Sequence, residues 1–150
     1  MKVVVDSNIV FSAILNTKSQ IGQLIINGTK YFDYYTIGLL KTEIFKHRSK
    51  ILRITGLREP QFIDTYQFII QRIKFIDEVF LSDDVIKKAT EWVSDIDVED
   101  APFVALNEHL NSFLWTGDEI LINGLKGKGY TKIISTKELL DIFMKKQQRD

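Results

Sequence analysis

Asp6 ends a short hydrophobic run near the start of the chain, formed by the three valines at positions 3–5. Such a run predicts a buried strand, so this carboxylate would lie at the strand's carboxyl end, where open α/β sheets keep their ligand sites. A second strand-like run, residues 112–115, is followed in the same way by Asp118. Two acidic strand ends in one small protein predict a metal-binding pocket.

Helix capping is the simpler explanation for both carboxylates, because Asp is a favoured residue at the N-terminus of a helix. Asp6 would then cap a helix that begins at Ser7, and Asp118 would cap a helix that contains Ile120. Residue type and position alone give the two interpretations equal weight. Further acidic residues are needed to decide between them.

Two more acids lie three residues apart, and this spacing places Asp97 and Asp100 on one side of a first helical turn. Asp100 precedes the apolar pair Phe103 and Val104 by three and four residues, which directs its side chain towards the sheet. For Asp97 and Glu99, a favourable interaction with the helix dipole is the better explanation.

Glu43 flanks the apolar stripe of the helix that follows the second predicted strand, and by position alone it is an ordinary solvated glutamate. His47 lies one turn further on, and we assign it no catalytic role. Cationic side chains cluster on the same helix and in a glycine-flanked loop, and they are candidates for binding a nucleic-acid backbone: Lys46, Arg48, Lys50, Arg53, Lys126 and Lys128.

The elements that must position these residues alternate along the chain, which favours a parallel sheet with helices on both faces. Strands are predicted at 2–5, 31–37, 75–81, 112–115 and 131–134. Helices are predicted at 8–15, 21–26, 39–54, 60–73, 83–96, 97–109, 118–125 and 137–145. The fold class is therefore α/β, and the expected architecture is a three-layer α/β/α sandwich with a central parallel sheet.

The composition excludes several other classes of protein and of site. The 150 residues suit a single domain, spanning 1–150, and 45% hydrophobic residues exclude a disordered chain. Lys and Arg number 20, as do Asp and Glu, so net charge does not point to a polyanionic partner. The absence of cysteine excludes disulfides, thiolate zinc sites and cysteine nucleophiles. With no signal-peptide pattern and no membrane-length apolar run, we expect a cytoplasmic protein without membrane contact.

Taken together and in order, the motifs resemble the PIN-domain family over essentially the whole chain. They are Asp-Ser-Asn after the first strand, a Glu on the helix after the second strand, Asp-Ala-Pro-Phe-Val-Ala-Leu at 100–106, and Thr-Gly-Asp at 116–118. The resemblance implies a PIN-like α/β/α sandwich and a metal-dependent endoribonuclease, a hydrolase that cuts RNA phosphodiester bonds. The stretch 56–81 is longer than in compact toxin members, so their substrate entry and dimer contacts cannot be transferred.

By position in those motifs, the resemblance implies catalytic residues that are also the metal ligands: Asp6, Glu43, Asp100 and Asp118. Supporting residues follow in the same way: Ser7, Asn8 and Thr116 orient the ligands through hydrogen bonds, and Asp97 is an additional acid at the rim. An all-oxygen ligand set favours a hard cation, Mg²⁺ or Mn²⁺.

Two rival functions remain open at this stage. A phosphoryl-transfer domain of flavodoxin-like topology would also place Asp6 in an acidic Mg²⁺ pocket, but no acceptor Asp stands out. A catalytically inactive PIN-like module that binds RNA or protein is the second rival. Many small members of the family are toxins held by an antitoxin protein, so the resemblance implies either that role or RNA processing, with RNA as a partner and a homodimer as a family expectation.

Overall fold

Five parallel strands form the centre of the protein, and the computed structural model describes all residues from 1 to 150. The sheet order is β3-β2-β1-β4-β5. Because β1 pairs with β2 on one side and β4 on the other, its valines are fully buried. The strands are β1 (Lys2–Val5), β2 (Asp33–Ile37), β3 (Ile73–Ile76), β4 (Phe113–Trp115) and β5 (Ile133–Ile134).

Nine helices flank this sheet, which confirms the predicted α/β class and parallel sheet. One cluster of 37 buried hydrophobic residues forms the core. The helices are α1 (Ser7–Leu15), α2 (Gln20–Asn27), α3 (Leu39–Lys46), α4 (Arg48–Thr55), α5 (Glu59–Ile70), α6 (Asp83–Val93), α7 (Ala101–Leu110), α8 (Glu119–Gly127) and α9 (Thr136–Arg149). Three short 3₁₀ turns complete the chain: Gly28–Lys30, Glu78–Phe80 and Val98–Asp100.

Three predicted elements differ from the structure. The single helix expected at 39–54 is divided at His47, whose φ of −100° and ψ of 15° leave the helical region. The strand expected at 75–81 begins earlier and gives way to a turn capped by Asp77, whose carboxylate accepts a hydrogen bond from Val79 N at 3.0 Å. The helix expected from Asp97 begins with a 3₁₀ turn. At Asp77 and Asp97 a side-chain hydrogen bond to the backbone two residues later forms a turn in place of the element that the apolar pattern favoured.

None of the helices, taken singly, has the length and apolar composition needed to cross a membrane. Only α1 together with α2 and the turn that follows it meets the length and composition required of a span, and that pair is bent by 106°.

The order of the strands places a topological switch point between β1 and β4, because the chain moves outward to β3 from one side of β1 and returns on the other side. Asp6 N donates to the carbonyl of Trp115 at 3.1 Å, which holds the two strand ends together. On the other side, the Thr36 hydroxyl donates to the carbonyl of Val5 at 2.9 Å. The carboxyl end of β1 is therefore fixed from both neighbouring strands.

A buried amide fixes the amino ends of β4 and β5. Asn107 of α7 is fully buried, and its Nδ2 donates to the Tyr130 hydroxyl and to the Lys132 carbonyl, both at 2.8 Å. Its Oδ1 accepts from the Ser112 hydroxyl at 2.8 Å. Since residue 112 precedes β4 and residue 132 precedes β5, this one side chain sets how both strands begin.

Replacing this amide should therefore weaken the whole fold. We expect Asn107→Ala to lower the free energy of unfolding by about 2–4 kcal/mol, because several buried polar groups lose their partner at once. Urea denaturation followed by circular dichroism measures the change. His109→Ala, at an exposed position of the same helix, is the matched control and should change the free energy by less than about 0.5 kcal/mol. Equal effects of the two variants would contradict the assigned role of Asn107.

Candidate functional site

Asp6 lies at the carboxyl end of β1 and is only 4% exposed to solvent. Its carboxylate accepts hydrogen bonds from Ser7 N at 2.7 Å, from the Thr116 hydroxyl at 2.9 Å and from Asn8 Nδ2 at 3.3 Å, and a long one from the Ser7 hydroxyl at 3.5 Å. Burial of the charged form raises the pKa of Asp6 from 3.8 to about 6, although the bonds from Thr116 and Ser7 oppose this shift. The charges of Glu43 and Asp118 raise it further. The carboxylate is thus oriented but poorly solvated.

Asn8 and Thr116 join the ends of β1 and β4 into one network. Asn8 Nδ2 donates to the Thr116 hydroxyl at 3.0 Å, and Asn8 Oδ1 accepts from Gly117 N at 3.0 Å. The same Thr116 oxygen accepts from Asp118 N at 3.1 Å. The backbone that carries Asp118 is therefore fixed relative to Asp6 without any bond between their carboxylates.

Glu43 joins this network from α3 through a single contact, because the Ser7 hydroxyl donates to its carboxylate. Ile44 beside it is buried against the core, which fixes the face of α3 that Glu43 occupies. The glutamate is half-buried, so it is not the freely solvated side chain that its position in the sequence favoured.

Asp118 does cap a helix, as the simpler explanation holds. Its Oδ1 accepts from Ile120 N at 3.0 Å and from Leu121 N at 3.2 Å at the start of α8. Capping does not remove it from the site, because its charge raises the pKa of both Asp6 and Asp100. Asp118 therefore caps α8 and is also close enough to Asp6 and Asp100 for its charge to raise their pKa.

Asp100 stands at the N-terminus of α7 without making a capping hydrogen bond. Its Oδ2 is buried and has no hydrogen-bond partner in the protein. Burial raises its pKa from 3.8 to about 7, and four neighbouring charges contribute to the same shift: Asp6, Asp97, Asp118 and Glu43. A buried, unpaired carboxylate oxygen surrounded by negative charge is costly unless a cation or a proton neutralises it.

Asp97 lies outside this network. It is exposed, and its carboxylate accepts from Glu99 N at 3.0 Å to cap the 3₁₀ turn before α7. Its carboxylate makes no hydrogen bond to any of the four predicted ligands. Its carbonyl accepts from Asp100 N at 3.1 Å, and its charge raises the pKa of Asp100.

The residues suit a hard divalent cation in their chemistry, because every candidate ligand is a carboxylate oxygen and one of these oxygens lacks any partner. Their positions are less complete. No group of three or more acidic or histidine side chains is placed to hold a metal ion. With Asp118 engaged as a cap and Glu43 held by Ser7, binding an ion requires side chains to move or water to bridge.

The predicted cationic residues fall in two separate places. Lys46 ends α3, and Arg48, Lys50 and Arg53 lie on α4. Arg48 pairs with Glu59 at 2.6 Å. Lys126 pairs with Glu138 at 3.2 Å, and Lys128 pairs with Asp95. The structure does not bring this second pair to the acids.

The largest surface pocket, about 610 Å³, includes none of the four predicted ligands. It is lined by Lys126 together with Met1, which stands at the amino end of β1, whereas Asp6 stands at the carboxyl end. Pocket volume alone therefore does not locate the acids in this protein.

Sequence reasoning missed two contributors. Thr36 is fully buried and holds the end of β1, and the only signal was a polar residue inside an otherwise aromatic and β-branched strand. Phe11 lines a pocket beside Glu43 and meets the ring of His47 at 6.1 Å. Its position one turn after Ser7 was the available signal, but only the packing of α1 against α3 gives that position a meaning.

Comparisons with known proteins agree with the fold. A family model described as the PIN domain matches residues 4–139. VapBC2 from Rickettsia felis, solved bound to a DNA fragment from their promoter, is similar in structure, with a TM-score of 0.66 and 15% identity over 90% of this chain and 97% of that one. PAE2754 from Pyrobaculum aerophilum has a TM-score of 0.67 and 17% identity over 96% of this chain and 90% of that one. No curated protein sequence matches the chain.

The unpaired Asp100 makes the stability of the metal-free protein depend on pH. Its folded-state pKa of about 7 exceeds the ordinary value of 3.8, so the folded state binds the proton more tightly and stability is lost as pH rises through about 4 to 7. We expect Asp100→Asn to be more stable than the wild type at pH 8 by about 1–2 kcal/mol, after allowance for solvent screening, and to lose this advantage near pH 4.

Urea denaturation in EDTA at the two pH values measures the difference. Asp64→Asn, at an exposed carboxylate of α5, is the control and should match the wild type at both. A stability gain that is the same at both pH values would show that charge at Asp100 is not its cause.

Proposed function

This chain belongs to the PIN-domain family, and we propose that it is a divalent-metal-dependent endoribonuclease, a hydrolase that cuts phosphodiester bonds within RNA. The observation that carries the proposal is Asp100, whose buried Oδ2 has no partner while the charges of Asp6, Glu43 and Asp118 act on it together. These acids come from four different elements, so helix capping alone does not account for their convergence.

The four acids would hold the cation, and Mg²⁺ or Mn²⁺ suits their oxygen atoms. When bound, such an ion supplies an activated water and offsets negative charge on the scissile phosphate. The protein's own contribution is orientation: Thr116, Asn8 and Ser7 hold the Asp6 carboxylate in one position, and Ser7 also holds Glu43. The Asp6 carboxylate is therefore already oriented before an ion binds, whereas Glu43 and Asp118 would have to move or act through water.

RNA binding in this proposal uses the cations that follow Glu43 in the chain. Lys46, Lys50 and Arg53 are exposed and make no ion pair within the protein. They can therefore contact phosphates without first breaking a salt bridge. Arg48 must compete with Glu59, and the proposal gives it a smaller role. Lys126 and Lys128 are engaged in ion pairs with Glu138 and Asp95, so the proposal gives them a smaller role as well.

An antitoxin-like protein is the partner that we propose for this enzyme. Support comes from the structural similarity to VapBC2, although similarity at 15% identity extends to the fold alone. In this role the chain is the toxin of a toxin–antitoxin pair, and the partner would restrain its ribonuclease activity.

A second candidate function is a catalytically inactive PIN-like module that binds RNA or protein. It is favoured by one observation: no three acidic side chains are placed to hold a metal ion, and Asp118 already serves as a cap. The two candidates differ in a direct test, since only the first requires that RNA be cut.

The decisive experiment combines metal titration with RNA cleavage. We expect the wild type to bind Mn²⁺ in calorimetry and to cleave a mixed single-stranded RNA pool, and we expect Asp6→Asn to lose both, because the best-oriented carboxylate is removed. Asp141→Asn, an exposed acid on α9, is the matched control and should retain both. RNA binding by the wild type without cleavage of any RNA would instead support the inactive module.

The orienting role of Thr116 gives a graded prediction. Thr116→Val keeps the shape of the side chain but removes the hydroxyl that bonds to Asp6, Asn8 and Asp118 N. We expect Mn²⁺ affinity and the rate of cleavage to fall by about 10–100-fold while the protein remains folded. Thr131→Val, at an exposed position before β5, is the control for the same change. Unchanged affinity in Thr116→Val would exclude this role.

A further inference from the structure

A small pocket of about 160 Å³ opens beside Glu43, between α1 and α3. It is far smaller than the sites of drug-sized ligands, which begin at roughly 300 Å³, so it suits a single planar ring. The residues that line it are Ser7, Asn8, Phe11, Glu43, Ile44 and His47.

Two helices, α1 and α3, form the two walls of the pocket, and each contributes two residues one turn apart. Ser7 and Phe11 lie four residues apart on α1, and Glu43 and His47 lie four residues apart along α3 and its C-terminus, so each pair shares one face. The hydrogen bond from Ser7 to Glu43 closes one end. At the other end the rings of Phe11 and His47 meet at 6.1 Å with an interplanar angle of 80°. The pocket therefore runs from a proposed metal ligand to an aromatic corner.

Charge and unused hydrogen-bonding groups distinguish this corner from an ordinary apolar cleft. Lys50 Nζ lies 5.7 Å from the centre of the Phe11 ring, so a cation stands beside one of the two rings of the corner. His47 is exposed, and its ring makes no hydrogen bond within the protein. An aromatic corner with a free imidazole and a cation presents the groups that contact a base and its phosphate in single-stranded nucleic acid.

We propose that this pocket holds one base of the RNA strand, next to the phosphate that is cleaved. The base ring packs in the corner formed by Phe11 and His47, and Lys50 contacts a flanking phosphate. The inference rests on the proposed function, and it adds that one nucleotide position beside the cut is read by these residues. A protein side chain would fill the corner too, but it has no phosphate for Lys50.

The test uses a single-stranded RNA oligonucleotide whose cleavage position has been mapped with the wild-type protein and Mn²⁺. One base at a time is replaced by an abasic ribose. We expect removal of the base at one position next to the cut to raise KM by on the order of ten-fold, as loss of one stacked base does. In Phe11→Leu, which keeps apolar volume but removes the ring, the intact and abasic RNAs should differ by less than two-fold.

Matched variants separate this effect from folding and from general electrostatics. Thermal melting shows whether Phe11→Leu is folded, and His47→Ala removes the second ring from an exposed position if it is not. Lys50→Ala should raise KM for intact and abasic RNA alike, because phosphate contacts carry no base information. Lys88→Ala, on α6 and outside the pocket, should leave KM unchanged.

Failure of the proposed function is distinguished by a binding measurement. A 2′-O-methyl copy of the same oligonucleotide, or a mixed-sequence one if no RNA is cut, is titrated by fluorescence anisotropy against the metal-free protein. Weaker binding of Phe11→Leu and His47→Ala without any cleavage by the wild type would uphold the pocket as a base-binding site, but it would reject the nuclease and with it the placement of the base beside a cut. Cleavage by the wild type with an abasic penalty that persists unchanged in both variants would overturn the base site and leave the corner to a protein partner.

Discussion

Burial of negative charge at the carboxyl end of β1 is the constraint on which the rest of the site depends. Asp6 stands where strands β2 and β4 exclude water, so its carboxylate needs partners that the protein must supply. Thr116 and Asn8 provide them from β4 and α1. The same hydrogen bonds then fix the chain that leads to Asp118. The cost of burying one charge thus explains why a threonine and an asparagine sit at the strand ends.

Asp100 shows the other side of this constraint, because its buried oxygen is left without any partner. Native proteins rarely keep such a group, and when they do it is usually at a site where a ligand, an ion or a proton is expected. Stability and function are therefore in opposition here: the feature that lowers the stability of the free protein near neutral pH is the one that would bind a cation.

The two edges of the sheet divide the work of the molecule. At the carboxyl edge, the charges of Asp6, Glu43 and Asp118 act together on Asp100. At the amino edge, Asn107 ties α7 to the beginnings of β4 and β5. A chain with no net charge can still have a local excess of negative charge, because the strand order brings acids from different elements to the carboxyl edge of the sheet.

The sequence by itself determined the parallel α/β fold, since buried strands and amphipathic helices leave periodic apolar patterns that do not depend on long-range contacts. It also determined which acids were candidates, because Asp6 and Asp118 follow those strands directly. The break at His47 was hidden because the polar run around it carries no periodic signal. The early end of β3 was hidden because the apolar residues after Asp77 favoured a longer strand. Only the tertiary structure decided that Ser7 reaches Glu43, that Asp100 is left unpaired, and that Phe11 meets His47 beside them. The two contacts join residues of elements far apart in the chain, and the missing partner of Asp100 depends on which elements surround it. All three follow from the packing of helices on the sheet, which no local pattern encodes.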